Sequence, residues 1–248
     1  MTKIEWTDKT WNPVTGCSWM SRGCNNCYAL KQAKRLKAMG VRGYQHDNPF
    51  DVTFHEDRLH QPRKWGPSRV FVCSMGDLFH KDISFADVLA VWTVMAECDR
   101  HVFQILTKRP QRMKELIDSV KVCDHVWIGT TVESPHEVHR AEVLMRTEAK
   151  TRFLSIEPML DDPLIPDGWF NSFSQVIIGC EKVGGRTKRL PNEGIDGFWA
   201  VAKHIRKQCE HAGTAFFLKQ WPDENGRVES DLAKCPRPDM ALRQFPNE

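Results

Sequence analysis

The stretch Val102-Phe103-Gln104-Ile105-Leu106-Thr107-Lys108-Arg109-Pro110, with Met113, Leu116 and Ile117 following it, carries the reading of the fold. Its first five residues are nearly continuous in apolarity and rich in branched and aromatic side chains, which suits a strand covered on both faces. A polar triplet ends the run. Pro110 then fits the first turn of a helix, where its missing N–H leaves no bond unmade, and Met113, Leu116 and Ile117 recur at helical spacing. The stretch reads as one βα unit.

Outward from it the same unit repeats. Val70-Phe71-Val72-Cys73, Val126-Trp127-Ile128, Phe153-Leu154-Ser155-Ile156, Val176-Ile177-Ile178 and Ala215-Phe216-Phe217-Leu218 read as further buried strands. Ser84 is placed to cap a helix through Val88, Val91, Trp92 and Met95. Pro135 opens another through Val138, Ala141 and Leu144, and Phe198 to Cys209 mark a longer one ending near Gly213. A weaker strand around Val14 and Thr15 and a helix from about Tyr28 to Met39 complete six to seven βα units. The fold class expected is α/β, a partial TIM-like (β/α) barrel, with an open doubly wound sheet as the alternative. Residues 1–248 are expected to form a single domain, with an irregular excursion at 40–68 and a turn-rich tail at 222–248 that acts as a lid or stays mobile.

Composition sets the outer bounds. The 248 residues are 41% hydrophobic and 27% charged, and 35 basic against 32 acidic residues leave a net charge of +3. That is ordinary globular composition, and any nucleic-acid binding must come from local patches. The longest apolar run, Val88 to Ala96, is about half of the ~18 residues a membrane span needs. Met1 to Trp6 contain no apolar signal core. The expectation is a cytoplasmic monomer with no membrane association. No P-loop, H-E-x-x-H or G-x-S-x-G motif is present.

In a barrel, functional groups gather after the strands. Those positions read Ser74-Met75-Gly76-Asp77, Thr107-Lys108-Arg109, Thr130-Thr131-Val132-Glu133, Ser155-Ile156-Glu157-Pro158, Gly179-Cys180-Glu181 and Lys219-Gln220-Trp221. Glu133 and Glu157 by themselves also permit acid–base hydrolase chemistry. Nine cysteines cannot pair off completely, and Cys17, Cys24 and Cys27 crowd into the loop after the first strand as C-x6-C-x2-C. Three thiolates can each hold one iron of a 4Fe-4S cluster and leave the fourth iron open. A zinc site needs a fourth ligand, with Cys73, His46, His55 or His60 as choices. Three free thiols are the remaining alternative.

The runs Ile4-Glu5-Trp6-Thr7-Asp8, Trp11-Asn12-Pro13-Val14-Thr15-Gly16-Cys17 and Gly23-Cys24-x-x-Cys27-Tyr28-Ala29 resemble a phage-associated family of radical-SAM-like proteins long catalogued without an assigned function. Met75 to His80, Leu106 to Pro110, Glu157-Pro158 and Phe217 to Trp221 continue the resemblance in order. It implies a radical SAM barrel in which Cys17, Cys24 and Cys27 hold the 4Fe-4S cluster and S-adenosylmethionine binds the open iron. An external electron donor then drives cleavage to methionine and a 5'-deoxyadenosyl radical. Ser74, Met75, Gly76 and Asp77 are then candidates for the cofactor ammonium, and Lys108 and Arg109 for its carboxylate. Thr131, Glu133, Ser155 and Glu157 are candidates for ribose or substrate hydroxyls, and Lys219 with Gln220 for substrate. Tyr28 is a candidate adenine contact, because Asn26 stands where radical SAM enzymes commonly carry an aromatic residue. Cys180, where the family usually reads Gly, is placed to touch substrate, quench a radical or simply pack.

Lys31, Lys34, Arg35, Lys37 and Arg42 form one basic group, and Arg186, Lys188 and Arg189 another. Such groups suit phosphates. Trp19, Trp65 and Trp221 are the candidates for base stacking, with Trp92, Trp127 and Trp199 in the core. The phage context implied by the resemblance makes the host cytoplasm the setting. It also makes rearrangement or modification of a hypermodified pyrimidine, in DNA or a nucleotide, the expected chemistry. That is thymidine hypermodification of isomerase type, with the base flipped out of the duplex. The alternatives are radical SAM chemistry on a peptide or small metabolite, and a non-catalytic zinc-bound nucleic-acid-binding module.

Overall fold

The computed structural model describes residues 4–246. Met1–Lys3, which entered the reading of the amino terminus, lie outside the described residues. The chain divides into two compact units. One holds the residues through Met20, Cys27–Gly129 and Thr147–Lys150; the other holds Ser21–Asn26, Thr130–Arg146 and the residues from Thr151 onward.

In the first unit the elements are β1 (Lys9–Trp11), β2 (Val14–Thr15), α1 (Tyr28–Ala38), β3 (Thr53–Phe54), α2 (Glu56–Leu59), β4 (Arg69–Val72), α3 (Phe85–Glu97), β5 (Val102–Thr107), α4 (Pro110–Ile117) and most of β6 (Val126–Thr131). β4 pairs in parallel with β1, Val70 opposite Lys9, and with β5, Val72 opposite Ile105. Val70, Val72, Phe103, Ile105, Met113, Leu116 and Ile117 are buried, and burial of each large side chain contributes about 1.5–3 kcal/mol. Ser84 Oγ accepts the Asp87 N–H at 3.1 Å and caps α3, in keeping with its place before the apolar period.

The first strand is a correction. The sheet begins with β1, and Val14–Thr15 pairs antiparallel with β3 instead. Pro13 separates the two segments and has no N–H to give a ladder. Asn12 Oδ1 accepts the Met75 N–H at 2.8 Å, and the Pro13 carbonyl accepts the His55 N–H at 2.7 Å, so the chain turns from β4 to β3. The 40–68 excursion is correspondingly ordered, with β3, α2 and a 3-10 turn at Gln61–Lys64. It buries Tyr44 and Phe50 in a cluster with Ala29, Ala33 and Met75.

The second unit holds the end of β6, then α5 (Val138–Met145), β7 (Arg152–Ile156), β8 (Gln175–Gly179), α6 (Ile195–Ala212), β9 (Ala215–Pro222) and β10 (Val228–Glu229). β8 pairs in parallel with β7 and β9, and a bulge at Ile178/Gly179 sets Gly179 opposite Gln220. Between β7 and β8 the α-helix of a βα rhythm is replaced by a 3-10 turn, Asp167–Ser172, against which α6 packs along with β9. Gly213, at φ 67°, ends α6 in the left-handed conformation that favours glycine. Part of the tail is tied to β9. The Leu218 N–H bonds the Leu242 carbonyl at 2.8 Å, and the Gln244 N–H bonds the Phe216 carbonyl at 3.0 Å, so residues 242–244 run along β9.

The strand order is β1-β4-β5-β6-β7-β8-β9-β10, an eight-stranded, mostly parallel sheet in a mixed α/β chain, in which β10 is set antiparallel on β9. Among the described residues no helix is long and apolar enough to cross a membrane.

Candidate functional site

In the first unit the residues after β4 and β5 meet the loop that carries Cys17. Gly16 and Gly76 lie bridged side by side, and the Gly16 N–H donates to the Met75 carbonyl at 2.9 Å. A Cβ on Gly76 would stand 2.8 Å from the Gly16 carbonyl oxygen, and one on Gly16, at φ 84°, would stand 2.2 Å from the Asp51 carbonyl oxygen. Only glycine permits this approach.

Asp77 is buried and its carboxylate is heavily engaged. It accepts Thr107 Oγ1 at 2.8 and 3.0 Å, the Phe79 N–H at 3.0 Å, the Lys108 N–H at 3.3 Å and Arg109 Nη1 at 3.1 Å. Its observed part is thus to aim Arg109. That guanidinium donates through Nη1 to Cys17 Sγ at 3.3 Å and through Nη2 to Ser18 Oγ at 2.9 Å. Burial acts to lower the pKa of Arg109, but Asp77 and Cys17 outweigh it and hold the group above its usual value. His80 Nε2 lies 2.8 Å from Ser18 Oγ. Because His80 Nδ1 accepts the Asp82 N–H at 3.2 Å, the ring proton belongs on Nε2, donating to Ser18. Burial, then Arg109, lowers the His80 pKa.

The Tyr28 ring is exposed while its hydroxyl donates to the Ser74 carbonyl. Met75 packs in the apolar cluster, and the half-buried Cys17 and Cys27 lie against it. Sequence reasoning missed Ser18 and Asn12. Both act through side-chain bonds to residues 62 to 91 positions away, which leave no spacing signal.

In the second unit the sequence candidates sort into separate pairs. Glu157 accepts Lys219 Nζ at 2.5 Å, whereas Glu133, wholly buried, accepts Ser21 Oγ at 2.7 Å and Arg140 Nη1 at 3.0 Å. The two acids therefore serve different cations, which does not suit a shared acid–base pair. Thr131 is buried and gives its carbonyl to Arg140 at 3.1 Å, and the Ser155 carbonyl accepts the Val132 N–H at 3.0 Å. Cys180 is fully buried, and burial, then Glu157, pushes its thiol up, which fits packing. Gln220 Nε2 donates to its carbonyl at 2.6 Å.

Glu181 takes Asn26 Nδ2 at 2.9 Å and both Nε and Nη2 of Arg189. Arg189 is thereby committed to a carboxylate, and Arg186 Nη2 to the Asn225 carbonyl at 2.8 Å. Trp221 is fully buried, which corrects its reading as a stacking surface. Trp19 is 64% exposed and Trp65 half-buried, while Trp92, Trp127 and Trp199 lie in the core as expected. Lys31, Lys34, Arg35 and Lys37 are spread along α1, on its more exposed positions.

None of the nine cysteines is in a disulfide, and Cys17, Cys24 and Cys27 are half-buried. Cys17 and Cys27 belong to the first unit and Cys24 to the second. Among the described residues no group of three or more His, Cys, Asp and Glu side chains is arranged around one metal ion. Two of the four possible zinc ligands are otherwise engaged: His55 Nε2 lies 2.7 Å from Thr15 Oγ1, and the Cys73 thiol is buried and pushed up by that burial. Three accessible thiols within one short segment have the chemistry of a cluster donor set, in which each sulfur holds a different iron.

No curated protein and no solved structure matches the chain. A family model described as "Protein of unknown function (DUF5131)" matches residues 1–235, which include both units' strand ends and all three clustered cysteines. The chain therefore belongs to the DUF5131 family.

Proposed function

We propose that this protein is a radical SAM enzyme with a partial TIM-like barrel of the radical SAM type, in which Cys17, Cys24 and Cys27 hold a 4Fe-4S cluster. The observation that supports it most is the Arg109 guanidinium, aimed by buried Asp77, on Cys17 Sγ at 3.3 Å. A cationic donor beside a sulfur favours its thiolate form, the form that binds metal. When bound, the cluster supplies the electron, taken from an external donor, that cleaves S-adenosylmethionine to methionine and a hydrogen-abstracting 5'-deoxyadenosyl radical.

The chain's own residues bind, orient and exclude. Asp77 is filled by Thr107 and Arg109, so the carbonyl oxygens of the Ser74–Gly76 turn, which keep a second lone pair beyond the bonds from Tyr28 and Gly16, are the acceptors for the cofactor ammonium, and Arg109 or Lys108 the donors for its carboxylate. Tyr28 offers an exposed ring for adenine stacking, its hydroxyl anchored on Ser74. Lys219, paired with Glu157 at 2.5 Å, is given a substrate contact on the second unit. Cys180, buried and strongly raised, is given a packing role.

The proposed substrate is a hypermodified pyrimidine in phage DNA or a nucleotide, supported by the basic face of α1 and by exposed Trp19. Anaerobic reconstitution with iron and sulfide, followed by reduction with S-adenosylmethionine, tests the activity. The wild-type protein is expected to yield 5'-deoxyadenosine and Cys24→Ala none. Zinc without iron after anaerobic purification would contradict the reading. DNA affinity is expected to fall with added salt; affinity indifferent to salt contradicts the substrate class.

A further inference from the structure

We infer that Glu133 and Glu181 are positioning residues that hold the Cys24-bearing turn in place, a role that rests on the cluster reading above. The turn Arg22–Asn26 is a five-residue 3-10 helix with no buried residue, so apolar packing does not anchor it. Beside the turn's own 3-10 bonds, the Cys24 N–H closes back on the Ser21 carbonyl at 2.8 Å. Side-chain bonds also hold its two ends. Ser21 Oγ donates to Glu133 Oε1 at 2.7 Å, and Asn26 Nδ2 donates to Glu181 Oε1 at 2.9 Å.

Each carboxylate is itself immobilised by an arginine. Arg140, 4% exposed, bonds Glu133 Oε2 at 3.0 Å and the Thr131 carbonyl at 3.1 Å, tying Glu133 to the end of β6. Arg189 grips Glu181 through Nε and Nη2 and reaches the Arg22 carbonyl at 3.1 Å, so the turn is also held at its first residue. Two buried carboxylates at strand ends, each gripped by an arginine, thus present the turn from a rigid base. A carboxylate engaged in this way is spent on orientation, which reassigns Glu133 from the ribose or substrate contact expected of it. Partners that orient a metal ligand in this manner typically affect metal affinity about 10- to 100-fold.

The test removes the two side-chain tethers and keeps the ion pairs, with the Arg189 bond to the Arg22 carbonyl left in place in every variant. Ser21→Ala, Asn26→Ala and the double variant are reconstituted with iron and sulfide beside the wild-type protein. Iron stoichiometry, the rate of cluster loss to a chelator and the electron paramagnetic resonance of the reduced cluster are read, with thermal unfolding as the control. The expected result is cluster loss about 10-fold faster or more in the double variant, with an altered resonance and little change in unfolding temperature. Ser21→Thr, which keeps the hydroxyl, restores the wild-type rate. The single variants, each leaving one side-chain tether, carry the test if the double variant does not fold. Wild-type retention in variants lacking the tethers overturns the positioning role while leaving the cluster intact. A wild-type protein that takes up no cluster overturns the cluster reading, and the positioning role with it.

Discussion

At the scale of single residues the site is a set of charges used to orient other groups. Asp77, 5% exposed, has its lone pairs filled by Thr107, Phe79, Lys108 and Arg109, so removing the guanidinium leaves a buried carboxylate with its neutral partners only. Arg109→Met is expected to cost about 3 kcal/mol, the low end for breaking a buried pair, measured by denaturant unfolding. It is also expected to speed cluster loss about 10-fold or more. Unchanged stability and retention would strip Arg109 of its role. Gly76→Ala places a methyl 2.8 Å from the Gly16 carbonyl oxygen and is expected to cost about 1–3 kcal/mol by thermal unfolding, with retention of the fold. Residue identities after the strands were legible because strand-end position alone nominates them. Their partners were not: Ser21 with Glu133, and Asn26 with Glu181, meet across 112 and 155 positions, which no local pattern announces. Arg140, buried next to the apolar Ala141, has no spacing or neighbour in the sequence that sets it apart.

Among elements, the parallel strands were readable because covering both faces demands unbroken apolar runs, as in Val126-Trp127-Ile128, all of it buried. Lys9–Trp11 escaped because its only fully buried residue is Trp11, so it shows no such run. The Ser84 cap was readable from one hydroxyl before an apolar period. Ser84→Ala is expected to destabilise by about 1 kcal/mol, seen as a lowered denaturation midpoint with unchanged slope. The β2–β3 ribbon makes a pH prediction. Burial, then Arg58, lowers the His55 pKa to about 4, so between that value and ~6.5 the unfolded chain takes up a proton that the folded one does not. Stability is then fully present above ~6.5 and declines as pH falls toward 4. His55→Gln, able to keep a bond to Thr15, should flatten that part of the unfolding profile; an unchanged slope contradicts the assignment.

For the molecule as a whole, the α/β class and the run of strands followed from periodicity, and the family match covers the same span. Partition into two compact units was not legible, since neither composition nor a linker marks it and the second unit borrows Ser21–Asn26 from the amino-terminal region. The three cysteines were visible as spacing, while the arginine on Cys17 came only with the structure. Every proposed step depends on those thiols binding a cluster with one iron open to a small molecule. Electron paramagnetic resonance of the anaerobically reconstituted, reduced protein, with and without S-adenosylmethionine, addresses this most directly. The expected spectrum is a reduced 4Fe-4S signal that changes shape when S-adenosylmethionine is added and is absent in Cys24→Ala. A signal indifferent to S-adenosylmethionine, or equally strong in Cys24→Ala, would contradict it.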